Sequence, residues 1–183
     1  MKTHPTPLPG ILIIEPDVYT DPRGLFQETF SQTRYQDLVG IHSPFLQDNH
    51  SRSTKNVIRG LHFQKNHPQG KLISVLRGTI IDVTVDINPE SPTFGQHLAI
   101  ELSEDNHRQL WIPPGYAHGF CVTSDIADII YKCTDYYHRN DEGGLAWNCP
   151  VLNIQWPTQQ PLLSDKDKHF QGLEQFMNQD SKL

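Results

Sequence analysis

The sequence is poor in the features that take a chain out of the cell, into a bilayer or onto nucleic acid. Cysteine is scarce: Cys121, Cys133 and Cys149 are the only three in 183 residues, an odd number with no C-x-x-C pair. This argues against a disulfide framework and a zinc ribbon, and for packed, reduced thiols. No apolar run nears the roughly 20 residues that cross a bilayer, and the mean hydropathy is −0.53. Residues 1–10 are polar and proline-rich, with no basic patch leading into an apolar stretch. No secretory signal is therefore expected, and the chain is read as cytoplasmic with no membrane partner. A basic surplus is lacking too. Lys and Arg number 15 against 21 Asp and Glu, a net charge of −6, which speaks against a nucleic-acid partner. A nucleotide ligand stays open, because a few placed arginines suffice for one diphosphate. No repeat, low-complexity tract or internal linker divides the chain. Its length suits one domain, so residues 1–183 are read as a single domain that buries roughly 70% of its unfolded surface without a staple.

What is present is a succession of short β-type runs punctuated by 14 prolines and 12 glycines. The runs are 11–15, 23–30, 45–50, 57–63, 71–76, 79–87, 96–102, 109–112, 119–123 and 127–133. Their spacing, with turn signals between them, predicts an all-β sandwich or barrel. The alternation is clearest where Ile81, Val83, Val85 and Ile87 interleave with Asp82, Thr84 and Asp86, giving one apolar and one polar face. One early helix is expected over 31–39, with Ser31 as N-cap and Gly40 as its stop. Phe170, Leu173 and Phe176 have helical spacing and predict a helical segment at about 164–178, packed outside the barrel.

Pro113-Pro114-Gly115-Tyr116-Ala117-His118 fits P-x-G-x-x-H, the second motif of the cupin jelly rolls. It predicts a rigid turn that presents His118 at a strand start. The first cupin motif supplies an H-x-H pair and a nearby Glu to a metal. Here Gly60-Leu61-His62-Phe63-Gln64 puts Gln64 where the second His belongs, and no Glu follows. One or two imidazoles without a carboxylate make a poor transition-metal site, so no metal is expected. Arg59 stands three residues from His62. Strand alternation puts the two on opposite faces unless a bulge intervenes, and Gly60 is the candidate bulge.

Gln47-Asp48-Asn49-His50-Ser51 followed by Lys55-Asn56-Val57-Ile58-Arg59-Gly60-Leu61-His62-Phe63-Gln64 resembles the dTDP-4-dehydrorhamnose 3,5-epimerase family. Asp21-Pro22-Arg23-Gly24, Gln69-Gly70-Lys71-Leu72, Ser91-Pro92-Thr93-Phe94-Gly95, Arg108-Gln109-Leu110-Trp111-Ile112-Pro113, Ala117-His118-Gly119-Phe120, Tyr131-Lys132 and Trp147-Asn148 carry the same resemblance in the same order. It implies a cupin-type jelly-roll barrel with a few short flanking helices. It also implies inversion of C3 and C5 on either side of the C4 ketone of a dTDP-linked 4-keto-6-deoxy sugar, with no cofactor and no metal. That chemistry needs a base on one face, a proton donor on the other and a cation at the enolate oxygen. The resemblance assigns the base to His62, the carboxylate behind it to Asp167, the acid to Tyr131 and the enolate stabiliser to Lys71. It makes Arg23, Phe26, Glu28, Gln47, Asn49, Arg59, His118, Tyr137, Glu142 and Lys166 the substrate contacts, Tyr137 by stacking on thymine. It further implies a homodimer with strand exchange, the runs 11–15 and 23–30 being the candidates. Cys149, His138 and Arg139 depart from the family pattern, which commonly has Asp in the first place and Ser or Pro in the loop that the other two occupy. A relative inverting C3 alone, a metal cupin and a non-enzymatic sugar-binding jelly roll are the alternatives.

Overall fold

The structure, a computed structural model, describes residues 1–180. Thirteen strands among them form two facing antiparallel sheets and a separate hairpin. The first sheet contains β1 (Lys2–Pro5), β2 (Leu12–Glu15), β5 (Gln47–Thr54), β7 (Lys71–Arg77), β10 (Gln109–Ile112) and β12 (Ile126–Cys133), in the order β1-β2-β10-β7-β12-β5. The second contains β6 (Ile58–Gln64), β8 (Thr79–Asp86), β9 (His97–Ser103), β11 (Tyr116–Val122) and β13 (Glu142–Gly144), in the order β13-β6-β11-β8-β9. The hairpin joins β3 (Val18–Asp21) to β4 (Gly24–Gln27). The architecture is all-β, as the strand spacing predicts, and is the cupin-like jelly roll that the family resemblance implies. No helix among the described residues is long and apolar enough to cross a membrane.

Three apolar clusters follow from strand alternation. Ile73, Val75 and Ile129 of the first sheet meet Ile80, Leu102, Phe120 and Val122 of the second inside the barrel. The outer face of the first sheet, with Ile14, Leu72 and Trp111, is covered by Tyr35, Val39 and Ile41 in and after α1 (Gln32–Val39). The outer face of the second, with Leu61, Phe63, Val83 and Val85, is covered by Leu145, Leu152, Trp156 and Leu173. The polar face of β8 therefore turns inward. Asp82, Thr84 and Asp86 are all buried, because the apolar residues between them are needed under the C-terminal segment.

Several expectations need correction. The proline-rich start contributes β1, whose Lys2–Pro5 pairs with Leu12–Glu15 at the edge of the first sheet, where a missing proline N–H costs no ladder bond. β2 pairs with β1 on one side and β10 on the other, whereas the β3–β4 hairpin pairs only with itself among the described residues. Run 23–30 shortens to Gly24–Gln27, and run 45–50 extends into Gln47–Thr54. β11 starts at Tyr116, which puts His118 inside a strand rather than at its start. Ser31 occupies the N-cap position but its hydroxyl makes no capping bond, whereas Gly40 ends α1 in the left-handed conformation, its N–H donating to Gln36 O. The C-terminal segment lies outside the barrel, yet it is no continuous helix. A short 3-10 turn covers Asp167–His169, and α2 runs only over Leu173–Asp180. Asp167 turns inward while Phe170, Leu173 and Phe176 pack on the sheet or its rim, which a single straight helix does not allow.

Candidate active site

The mouth of the barrel is a cleft in two communicating parts. An inner hollow of about 590 Å³ is bordered by Arg59, His118, Lys166 and Asp167 among others. An outer hollow of about 300 Å³ is bordered by Gln47, Asn49, Tyr137 and Glu142 among others. His62, Lys71 and Tyr131 line both, so they stand where the two meet.

β6 and β11 bring the two histidines together. His62 is the ladder partner of His118, and Arg59 that of Phe120, so two residues on β6, Gly60 and Leu61, face one on β11, Gly119. This is the bulge expected at Gly60, and it turns Arg59 and His62 toward the same cleft. Gly60 has φ +137°, and a Cβ there would lie 2.5 Å from Gly119 Cα. Both the backbone angle and the close approach require glycine.

His62 Nε2 lies 2.7 Å from Asp167 Oδ1, and Phe170 stands edge-on to its ring at 5.7 Å. The His62 side chain keeps 28% exposure while Asp167 keeps 3%. Burial by itself raises the Asp167 pKa. The hydrogen bond and charge of His62, with Ser164 and Lys166, outweigh burial and hold the carboxyl below its ordinary value. Lys71, on β7, is pushed below the usual lysine range by burial, against the pull of Cys133, Asp82 and Glu142. Burial pushes the Tyr131 phenol up, so it keeps its proton. A half-open imidazole backed by a carboxylate, a protonated phenol and a desolvated amine around one space can move protons to and from a carbon acid.

The outer hollow has a polar rim. Gln47 Nε2 donates to Asn49 Oδ1 at 2.9 Å, and the Tyr137 N–H donates to Gln47 Oε1 at 2.9 Å. Tyr137 OH donates to Glu142 Oε2 at 2.7 Å, and Lys166 Nζ to Glu142 Oε1 at 2.6 Å. Burial raises the Glu142 pKa, but these two donors outweigh it and the net shift is downward. Gln64, which replaces the second cupin histidine, is buried and committed to the loop. Its Nε2 donates to the carbonyls of His67 and Tyr136, and its Oε1 accepts from the His138 N–H. No group of three or more His, Cys, Asp or Glu side chains among the described residues is arranged to hold a metal ion.

The cleft thus gathers His62, Tyr131, Lys71, Asp167, Gln47, Asn49, Arg59, His118, Tyr137, Glu142 and Lys166. It does not gather Arg23, Phe26 or Glu28. The first two sit on the hairpin, where Arg23 pairs with its own Asp21 and Phe26 is 69% exposed, and Glu28 pairs with Arg34. Sequence reasoning missed Asp82, which is 0% exposed and lies 2.8 Å from His118 Nε2 through Oδ2. Asp82 Oδ1, Thr84 Oγ1 and Ser51 Oγ are buried without a hydrogen-bond partner among the described residues. The polar half of the β8 alternation was the available signal, since an inward polar face lines a site rather than a core.

Residues 5–175 match the family model described as dTDP-4-dehydrorhamnose 3,5-epimerase. The chain belongs to the dTDP-4-dehydrorhamnose 3,5-epimerase family. The Shigella flexneri epimerase of that name is 50% identical over 168 residues, covering 91% of this chain and 93% of its own. A solved family member, the dTDP-6-deoxy-D-glucose-3,5-epimerase of Legionella pneumophila in complex with dTDP-4-keto-L-rhamnose, is 50% identical with a TM-score of 0.92. That match covers 94% of this chain and 93% of the other. Likeness to a dTDP-4-dehydrorhamnose 3-epimerase from Streptomyces niveus is lower, 35% over 92% of this chain and 82% of that protein.

Proposed function

We infer that this epimerase inverts C3 and C5 of dTDP-4-dehydro-6-deoxy-D-glucose and so forms dTDP-4-dehydro-L-rhamnose. The observation that carries the reading is the meeting of His62, Tyr131 and Lys71 at the junction of the two hollows. The C4 ketone acidifies the hydrogens at C3 and C5, provided the enolate oxygen is stabilised. His62 removes the proton from one face. Asp167 holds Nε2 and stabilises the imidazolium, which leaves the other ring nitrogen to take the proton. Lys71 stabilises the enolate oxygen by donating a hydrogen bond from Nζ, and such a bond counts for more in a buried site than in water. Tyr131 returns a proton from the opposite face. Arg59 and Lys166 hold the diphosphate, Gln47, Asn49 and Glu142 hold the nucleoside, Tyr137 stacks on thymine, and His118 contacts the sugar.

The protein works as a homodimer, in which Arg23, Phe26 and Glu28 of one copy reach the site of the other. Support comes from the hairpin, whose Tyr19, Leu25 and Phe26 are 62%, 58% and 69% exposed on a segment paired only with itself. Three free, buried thiols suit a reducing compartment, and we place the enzyme in the cytoplasm.

Incubation with dTDP-4-keto-6-deoxyglucose in D₂O, followed by NMR, tests the reaction. Deuterium at both C3 and C5 with the L-rhamno product is expected, and deuterium at C3 alone would establish a C3-only epimerase. Tyr131→Phe keeps the ring and loses the phenol proton. Wash-in at His62's face persists in that variant while epimer formation falls much further. Epimer at near wild-type rate would remove Tyr131 from the acid role.

A further inference from the structure

One buried polar network lies on the otherwise apolar outer face of the first sheet, three residues along β7 from Lys71. Gln109 on β10 is 0% exposed and Tyr35 on α1 is 1% exposed. Tyr35 OH donates to Gln109 Oε1 at 2.5 Å and lies 3.1 Å from the Thr29 carbonyl oxygen. Gln109 Nε2 donates to the same Thr29 oxygen at 2.8 Å and to Ser74 Oγ at 2.9 Å. Gln109 and Ser74 are ladder partners on β10 and β7, in the middle of the first sheet. Around them the face is Leu72, Trp111, Ile14 and Val39.

Apolar packing alone covers this face adequately, and it is not directional. A side-chain amide fixed on both its oxygen and its nitrogen is directional, and in a dry setting each unmade bond costs more than it does in water. The network converges on one backbone atom, the Thr29 carbonyl oxygen. Thr29 directly follows Glu28, two residues beyond the end of β4. Glu28 is held from the same helix as Tyr35 by Arg34, at 3.4 Å. The ring of Phe30, the next residue, meets that of Tyr35 at 5.1 Å. The exit of the hairpin is therefore tied to the sheet and to α1, while the hairpin itself projects into solvent.

We propose that Gln109 and Tyr35 form a latch that sets the pose of Glu28 and the hairpin, and so act as positioning residues for substrate binding in the site of the other copy. This rests on the reading above that the hairpin completes the neighbour's site. The latch touches no reacting atom, so it governs KM and leaves the chemical step alone.

The test compares Tyr35→Phe and Gln109→Met with Val39→Ala, a core truncation on the same face, in the full-length protein. KM for the dTDP-4-keto sugar, kcat, melting temperature and dimer dissociation constant are measured for each. Tyr35→Phe is expected to raise KM about 3- to 10-fold, the loss of one or two buried hydrogen bonds, with kcat within a factor of two. Val39→Ala is expected to lower the melting temperature at least as much with KM unchanged. Tyr35→Phe combined with Glu28→Gln is expected to raise KM by less than the product of the two single effects, because both act through Glu28. A Tyr35→Phe enzyme that loses thermal stability as Val39→Ala does, with wild-type KM, overturns the latch and leaves a structural network. Gln109→Met reports the same split if Tyr35→Phe fails to fold. A fully active monomer, or unchanged KM in Glu28→Gln, removes the hairpin reading and the latch with it. A dimer whose KM responds to Glu28→Gln but not to Tyr35→Phe removes the latch alone.

Discussion

His62 and His118 stand opposite each other on the β6–β11 ladder, each bonded through Nε2 to an aspartate, yet the two carboxylates come from different kinds of structure. Asp82 sits on β8, the strand next to β11, where the ladder pairs His118 with Thr84. Sheet geometry alone brings it to His118, and both side chains are nearly sealed at 11% and 0% exposure. Asp167 lies 105 residues from His62, on a segment that crosses the outside of the barrel and dips into the cleft by a 3-10 turn. Its histidine keeps 28% exposure. The sealed pair is built for a fixed position. The half-open one has a ring that a substrate can reach and a carboxylate that water cannot, which is the arrangement a base requires.

The largest expected effect tests which histidine is the base. His62→Asn should cut proton exchange at both carbons by about 10² to 10⁴, with dTDP affinity nearly intact. His118→Asn should chiefly raise KM. Exchange in His62→Asn within a factor of a few of wild type would reverse the comparison and make His118 the base.

A smaller effect separates the two carboxylates. Asp167→Asn should lower kcat about 10- to 100-fold, since it removes the charge that stabilises an imidazolium, and should lower the melting temperature less than it lowers activity. Asp82→Asn should do the opposite, because its side chain lies inside the barrel and any change there is felt as stability. Equal kcat losses in the two variants would show that both pairs take part in the proton transfer.

The smallest effect is in acid. The Asp167 pKa is depressed below the ordinary 3.8. Its contribution to stability is therefore complete above that value and is lost as pH falls through the folded-state pKa. Lowering the pH below about 4 should release the segment around Asp167 before the barrel opens. Hydrogen exchange should report it as loss of protection near Asp167–His169 while β8 stays protected. Loss of both at the same pH would mean that the two carboxylates are equally part of the barrel.

Much of this was legible in advance, for local reasons. Alternation and turn spacing sufficed for the barrel strands, because a two-residue period on a half-buried sheet leaves its mark in every run. The bulge at Gly60 was readable, since Arg59 and His62 share a cleft only if one residue is spare. The family resemblance named residues that the fold gathers in the cleft, and also Arg23, Phe26 and Glu28, which lie outside it. The edge strand at Lys2–Pro5 was not legible, since its pairing with β2 is a property of the partner and not of the segment. Asp82 looked like half of an ordinary polar face. Only the closed barrel, with the C-terminal segment covering the apolar half of β8, decided that the polar half points inward to His118. The distance of Asp167 from His62 along the chain made their contact a matter of tertiary packing alone. Local sequence determines which residues alternate and where chains turn; which of two faces becomes the inside is decided by what else in the molecule needs covering.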